Sequence, residues 1–269
     1  MKPQIIVASH RRSGTHLTID AICQNFAQYK NSIPASEAFL EQFRGKGNEK
    51  LIRAKEAVKS KSNVFFTHIH DINTIQNYFQ DDPDLLAFTK DLFNNSKVIY
   101  IQRDGRDVMV SMYEWMKTTN VSPSDISFSE FIKEPNNWSA PAVDGNYNRI
   151  EFWNHHRDNW RRETHVLQMQ FEDFLLDFDK CIFLISKHCD LKLPTKIINS
   201  KRKPFLGFIP YGKWTRRIHK YCISPFAKNS QSHYFRKGAS GDHIDYFSLE
   251  DISYYQEQLD KYNHNISRT

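Results

Sequence analysis

Arg103 and Ser111 stand eight residues apart across a glycine-bearing turn, Arg103-Asp104-Gly105-Arg106-Asp107-Val108. A guanidinium meets phosphate oxygens as a rigid planar fork, and a serine hydroxyl adds a further donor, so this spacing suits a phosphate. The same turn has a plainer reading, in which each arginine neutralises a neighbouring aspartate at the surface. A second polar loop, Ser9-His10-Arg11-Arg12-Ser13-Gly14-Thr15-His16, lies near the N-terminus. Here the amides of Ser13 to His16 would open a helix and form an anion site, with Arg12 reaching over it. It is not a Walker A loop, because Thr15 and His16 follow Gly14 where a Lys-Ser/Thr pair is needed, and Ser9 holds the place of the first glycine. His68 follows Thr67 at the end of an apolar run. An imidazole titrates close to working pH and suits a base that takes a hydroxyl proton. His70 is read as structural, beside Asp71. His155 and His156 are read as part of a solvated helix face.

These residues need a scaffold that brings strand ends together. Gln4–Ala8, Asn63–Thr67, Lys97–Gln102 and His165–Gln170 are short apolar or β-branched runs that read as strands. Helical spacing is expected over Thr15–Tyr29, Ser36–Lys59 (interrupted at Gly45-Lys46-Gly47), Asp84–Asn94, Gly105–Lys117, Tyr147–Arg162, Phe174–His188 and Ser248–Tyr262. The last of these has Ser248 as N-cap with Asp251 three residues on. Thr118–Asn148 reads as an excursion over one sheet end, with a short helix at Phe128–Lys133. Lys201–Ser232 has weak periodicity. The alternation predicts a three-layer α/β/α fold with a mostly parallel sheet, as a single domain over residues 1–269. In such sheets ligands bind beyond the C-terminal strand ends, which is where the Arg103 turn and the first loop fall.

The bulk numbers exclude little but point one way. A chain of 269 residues, 39% apolar, can bury one sizeable core. The net charge of +6 is spread along the chain, without a basic tail or regular aromatic–arginine interleaving, which favours a small polyanion over nucleic acid. Cys23, Cys181, Cys189 and Cys222 form no CxxC pair, so neither a zinc cluster nor any other metal site is expected. Cys181 and Cys189 are expected on one buried face. With no leader-like or membrane-spanning run, the expected location is the cytoplasm.

Four motifs, in order, resemble the sulfotransferase family, whose donor is 3′-phosphoadenosine 5′-phosphosulfate (PAPS) and whose product is 3′-phosphoadenosine 5′-phosphate (PAP). Arg12-Ser13-Gly14-Thr15 is similar to that family's 5′-phosphosulfate loop, and Arg103 with Ser111 to its 3′-phosphate element. Gln170-Phe171-Glu172-Asp173 resembles its Tyr-Glu-Asp strand end, and Phe235-Arg236-Lys237-Gly238-x-x-Gly241-Asp242 its Arg-Lys-Gly-x-x-Gly-Asp-Trp loop. The resemblance implies a P-loop-like fold and sulfuryl transfer to a hydroxyl or amine of a small molecule. Arg12 and His68 would be catalytic, with Arg12, Ser13, Gly14, Thr15, His16, Leu17, Arg103, Ser111, Phe171, Arg236, Lys237 and Gly238 holding the donor. The first loop and the Arg103–Ser111 pair would form two anion pockets, one at each end of an adenosine. The departures are Arg11 for proline, Leu17 for an adenine-stacking aromatic, Phe171 for tyrosine, His243 for tryptophan and Phe66 for the lysine of Lys-Thr-His. Tyr113, Trp115 and the two irregular stretches are expected near the acceptor. Two rivals stand: a P-loop kinase of a small molecule, and a non-catalytic nucleotide-binding protein. Oligomeric state cannot be read from the sequence.

Overall fold

Strand β1 (Gln4–Ala8) lies at the centre of the sheet because both of its faces are apolar: Ile5, Ile6, Val7 and Ala8 are wholly buried. A continuous apolar run of this kind is what a parallel strand covered on both faces requires. The structure, a computed structural model, describes residues 3–30, 32, 34–45, 56, 64–119, 126–135, 147–199 and 239–266. Four further strands, β2 (Ala35–Ser36), β3 (Val64–Thr67), β4 (Ser96–Gln102) and β5 (Leu167–Gln170), pair in the order β2-β3-β1-β4-β5, every pairing parallel. Register sets Ala8 beside both Thr67 and Tyr100, so β1 and β3 end level and β4 runs two residues further at the same edge.

Alternation along the strands divides the core into two layers. Ile5, Val7, Val64, Ile99, Ile101 and Met169 face the helices Thr15–Asn25 and Phe178–His188. Ile6, Ala8, Phe65, Val98 and Tyr100 face the helix Pro83–Asn94 and Trp160. Each fully buried aliphatic side chain contributes about 1.5–3 kcal/mol. A third cluster joins the helices Gly105–Thr119, Phe128–Lys133, Arg149–Arg161 and Leu249–Ile266, through Val108, Met112, Phe131, Ile150, Trp153 and Tyr255. The three-layer α/β/α architecture is therefore as expected.

Four local expectations are corrected. Ala35–Ser36 is an edge strand against Phe65 and Phe66, and only Glu37–Glu41 of the following stretch is a described continuous helix. Ile72–Asn77 is an additional helix, capped by the Asp71 carboxylate accepting from the Thr74 amide at 2.7 Å. The Phe174–His188 run is two helices, Phe171–Leu176 and Phe178–His188, because the Asp177 carboxylate accepts the Lys180 amide and restarts the chain. The Arg149–Arg161 helix is not one-sided. It lies between the sheet layer and the C-terminal helix, so His156 and Trp160 are wholly buried. His156 Nδ1 is 3.1 Å from the Tyr100 hydroxyl, and the Trp160 indole donates to the Ile69 carbonyl at 3.0 Å. Cys181 and Cys189 share one buried cluster, as expected.

Candidate active site

The first loop leaves β1 and turns sharply into a helix. Ser9 extends the ladder, its amide donating to the Thr67 carbonyl at 3.1 Å. Arg12 (φ 68°) and Gly14 (φ 107°) both take left-handed backbone, which costs a non-glycine residue and is favoured at Gly14. Gly14 has a second reason to lack a side chain: a Cβ there would come within 2.8 Å of the Phe171 ring. The Gly14 carbonyl accepts from the amide and hydroxyl of Thr18, and so locks the helix start. A helix N-terminus of this kind carries amide donors and the positive end of the peptide dipoles.

The second motif sits on the adjacent strand end. Arg103 is 8% exposed and its guanidinium carbon stacks 4.6 Å above the Phe171 ring. Its Nη2 donates to the Ala239 carbonyl at 2.8 Å, and Nη1 lies 3.5 Å from the Arg12 carbonyl. Arg12 Nε donates to Ser111 Oγ at 3.1 Å. The two motifs therefore adjoin at the C-terminal edges of β1 and β4, with Arg12 bridging to Ser111 and Arg103. The self-neutralising reading of the turn is half realised. Arg106 pairs with Asp104 at 2.6 Å, whereas Arg103 turns inward. Gly105 permits this turn, since a Cβ would lie 2.8 Å from the Trp153 ring and would strike the Tyr255 hydroxyl.

His68 stands at the end of β3 on the same edge, half-buried. Its Nδ1 is 2.9 Å from the Ser9 carbonyl, which can only accept, so Nδ1 carries the proton and Nε2 is left as the acceptor. Burial, then the positive charge of Arg11, lowers its pKa to about 3. Phe66 separates it from His16, with ring centroids 5.8 Å from His68 and 6.0 Å from His16. Burial and Arg12 lower the His16 pKa to about 4. Both imidazoles are thus neutral at working pH. Ser9 Oγ, 2.5 Å from Thr15 Oγ1 and 3.3 Å from His68 Nδ1, ties this histidine to the first loop.

Other expected residues lie elsewhere. Leu17 and Phe171 are each 4% exposed and belong to the core beneath the loop, so little of either is open to a ligand. Tyr113 is also a core residue: it packs against Phe128, Phe131 and Tyr246, and its hydroxyl donates to the Ile126 carbonyl at 3.0 Å. His70 pairs with Asp71 at 2.6 Å, as its structural reading required. Arg236, Lys237, Gly238 and the Lys201–Ser232 stretch lie outside the described residues. Sequence reasoning missed Asp107 and His243, which join the two halves of the site. Their signal was faint: Asp107 is one helical turn beyond Arg103, and His243 is the departure at the tryptophan position. Among the described residues no group of three or more His, Cys, Asp or Glu could hold a metal ion, and no helix is long and apolar enough to cross a membrane.

The sulfotransferase domain family model matches residues 2–265. Dog sulfotransferase 1B1 is 25% identical over 162 residues, 58% of this chain and 51% of that protein. The match thus spans about half the length of this curated relative. Mouse sulfotransferase SULT7A1, solved in complex with PAP, superposes with a TM-score of 0.59 at 18% identity, over 98% of this chain and 86% of that one. Retinol dehydratase, solved with retinol and PAP, gives 0.56 at 18% identity, over 97% and 82%. These two structures share the fold.

Proposed function

The chain belongs to the sulfotransferase domain family, and from that premise we propose that it moves a sulfuryl group from PAPS to a hydroxyl or amine of a small-molecule acceptor. The observation that carries this reading is the corner where Arg12, Arg103 and Ser111 converge, beside a histidine whose tautomer is fixed. The donor set fits a nucleotide with phosphates at both ends of its ribose, because two guanidiniums, a hydroxyl and a helix N-terminus are acceptor-poor and positive. PAPS supplies a sulfuryl group already activated on a phosphate oxygen.

The residues then divide the work. Arg12 and the amides at the start of the helix that begins at Thr15 face the phosphosulfate and neutralise charge that grows on the bridging oxygen as its bond to sulfur breaks, while the Ser13 amide is taken by the His10 carbonyl at 3.2 Å. Arg103 and Ser111 hold the 3′-phosphate, joined by Arg236, Lys237 and Gly238. His68 Nε2 takes the proton of the acceptor as its oxygen or nitrogen bonds to sulfur in line. Leu17 and Phe171 support the loop from below. No step calls for a metal. The acceptor is a small hydroxylated molecule, in keeping with the mild, dispersed charge of the chain.

The test is turnover by the purified chain with sulfur-labelled PAPS and a panel of alcohols, phenols and amines. Label on an acceptor, with PAP formed in equal amount, is the expected result. Transfer from ATP with magnesium would instead identify a kinase. Tight PAP binding without transfer to any acceptor would identify a binding protein, a rival kept alive by Phe66 standing where the family's lysine is expected.

A further inference from the structure

The most heavily bonded carboxylate near this corner belongs to a residue with no part in the chemistry above. Asp107 is wholly buried in the first turn of the helix that carries Ser111. It accepts from the Ser240 hydroxyl at 3.0 Å, the Gly241 amide at 2.7 Å, the His243 amide at 3.1 Å and His243 Nδ1 at 2.8 Å. Burial alone would push its pKa up, but the Gly241 amide, His243 and Arg103 outweigh burial and hold it below the ordinary carboxylate range. Gly241 (φ 91°) supplies the left-handed turn that aims two amides of one short segment at one carboxylate. That segment begins at Ala239, whose carbonyl holds Arg103. Arg103 also lies 3.8 Å from the Asp107 carboxylate. A closed circuit results: Asp107 fixes Ser240–His243, the segment fixes Ala239, and Ala239 with Asp107 fixes the guanidinium.

We propose that Asp107 and His243 are positioning residues that aim Arg103 at the 3′-phosphate of the nucleotide. The inference rests on the donor reading given above. His243 brings a ring donor to Asp107 from the position where the related loop has tryptophan. A second turn-forming residue would hold the segment equally well in a purely structural role, so the discriminating measurement compares two ligands. PAP carries the 3′-phosphate and adenosine 5′-monophosphate lacks it.

Calorimetric titration of the full chain with each nucleotide tests this. Wild type is expected to prefer PAP. Asp107→Asn, which loses one acceptor and the charge, is expected to weaken PAP about tenfold and leave the monophosphate unchanged, the scale of one charged hydrogen bond. His243→Ala should weaken PAP by about threefold, and His243→Asn, which restores a donor, should recover most of it. If Asp107→Asn does not fold, the two His243 variants carry the test. Equal losses for the two nucleotides, or no loss for PAP, would overturn the positioning role while leaving the donor reading intact. A wild-type chain that binds both nucleotides equally would overturn the donor reading and this inference with it.

Discussion

A histidine that is neutral throughout the working range, as the proposed base His68 is, behaves differently from an ordinary one. His68 has its pKa lowered to about 3 by burial and Arg11, so the ring sheds its proton far below the usual 6.5. Above its pKa the ring can accept a proton, and that competence is lost only as pH falls through the lowered value. The expected profile of kcat/KM is therefore flat on the acid side as pH drops through 6.5. A limb centred near 6.5 that vanishes in His68→Asn would show the ring to be ordinarily solvated. His68→Asn itself should lose about 10²–10⁴-fold in kcat. Arg12 calls for a different readout. On the proposed role its contacts would strengthen as the leaving oxygen gains charge, so Arg12→Ala should lower kcat about 10²–10³-fold while weakening PAP much less. Losses of equal size in the two quantities would mean that Arg12 only binds. The placement of both residues at one sheet edge was legible in the sequence, because a strand end and the glycine turn after it are local signals. Asp107 was not, since its partners lie at the far end of the chain.

Between elements, the packing of the first loop against the Arg149–Arg161 helix makes stability depend on pH. The rings of His10 and His156 lie 5.5 Å apart, His10 also meets Phe152, and both histidines are buried. Burial, partly offset by the bond to the Arg11 carbonyl, lowers the His10 pKa to about 4, and burial with the neighbouring histidines drives His156 well down. The unfolded chain protonates these rings below about 6.5 and the folded chain resists doing so. Their contribution is thus complete above 6.5 and lost progressively as pH falls toward 4, roughly 3 kcal/mol for His10 alone. The urea midpoint should fall steadily from pH 7 to pH 4.5, and His10→Gln should flatten that slope; an unchanged slope would place the acid sensitivity elsewhere. The helix that holds His156 also marks where sequence reading failed. Its many charged residues suggest a solvated face, yet Arg149 is buried against Phe131, 4.1 Å above its ring, and bonded to Glu134 at 2.9 Å. Paired charges can be buried, and a polarity pattern does not reveal the pairing. Strands β1, β3 and β4 read correctly because both-face burial demands near-continuous apolar runs, as in residues 5–8 and 98–101. The two-residue β2 was too short to carry any period, and the break at Asp177 is set by one capping carboxylate inside an otherwise apolar run.

Across the whole molecule, the candidate site draws on both ends of the chain and its middle. Arg12 and Gly14 come from the first turn after β1, Arg103 from the turn after β4 and Ser111 from the helix that follows it, and Ala239 to His243 from just before the last helix. The last helix is in turn fixed to the central helices, with Asn148 donating to Gln258 at 2.7 Å and Ser129 to Asp251 at 2.9 Å. On the proposed function, a ligand held by Arg12, Arg103 and Ser111, with Ala239 to His243 bracing Arg103, would stabilise the three segments together. We therefore expect residues 1–269 to unfold as one unit, with a single calorimetric transition. PAP at about a hundred times its Kd should add about 2.7 kcal/mol to the folded state and move that transition up by roughly 5–10 °C, with calorimetric and van't Hoff enthalpies still equal. Adenosine 5′-monophosphate at the same concentration should shift it less, since it leaves Arg103 and Ser111 without a phosphate. Two resolved transitions, only one of them moved by PAP, would mean that the segments converging on this corner do not share one cooperative core.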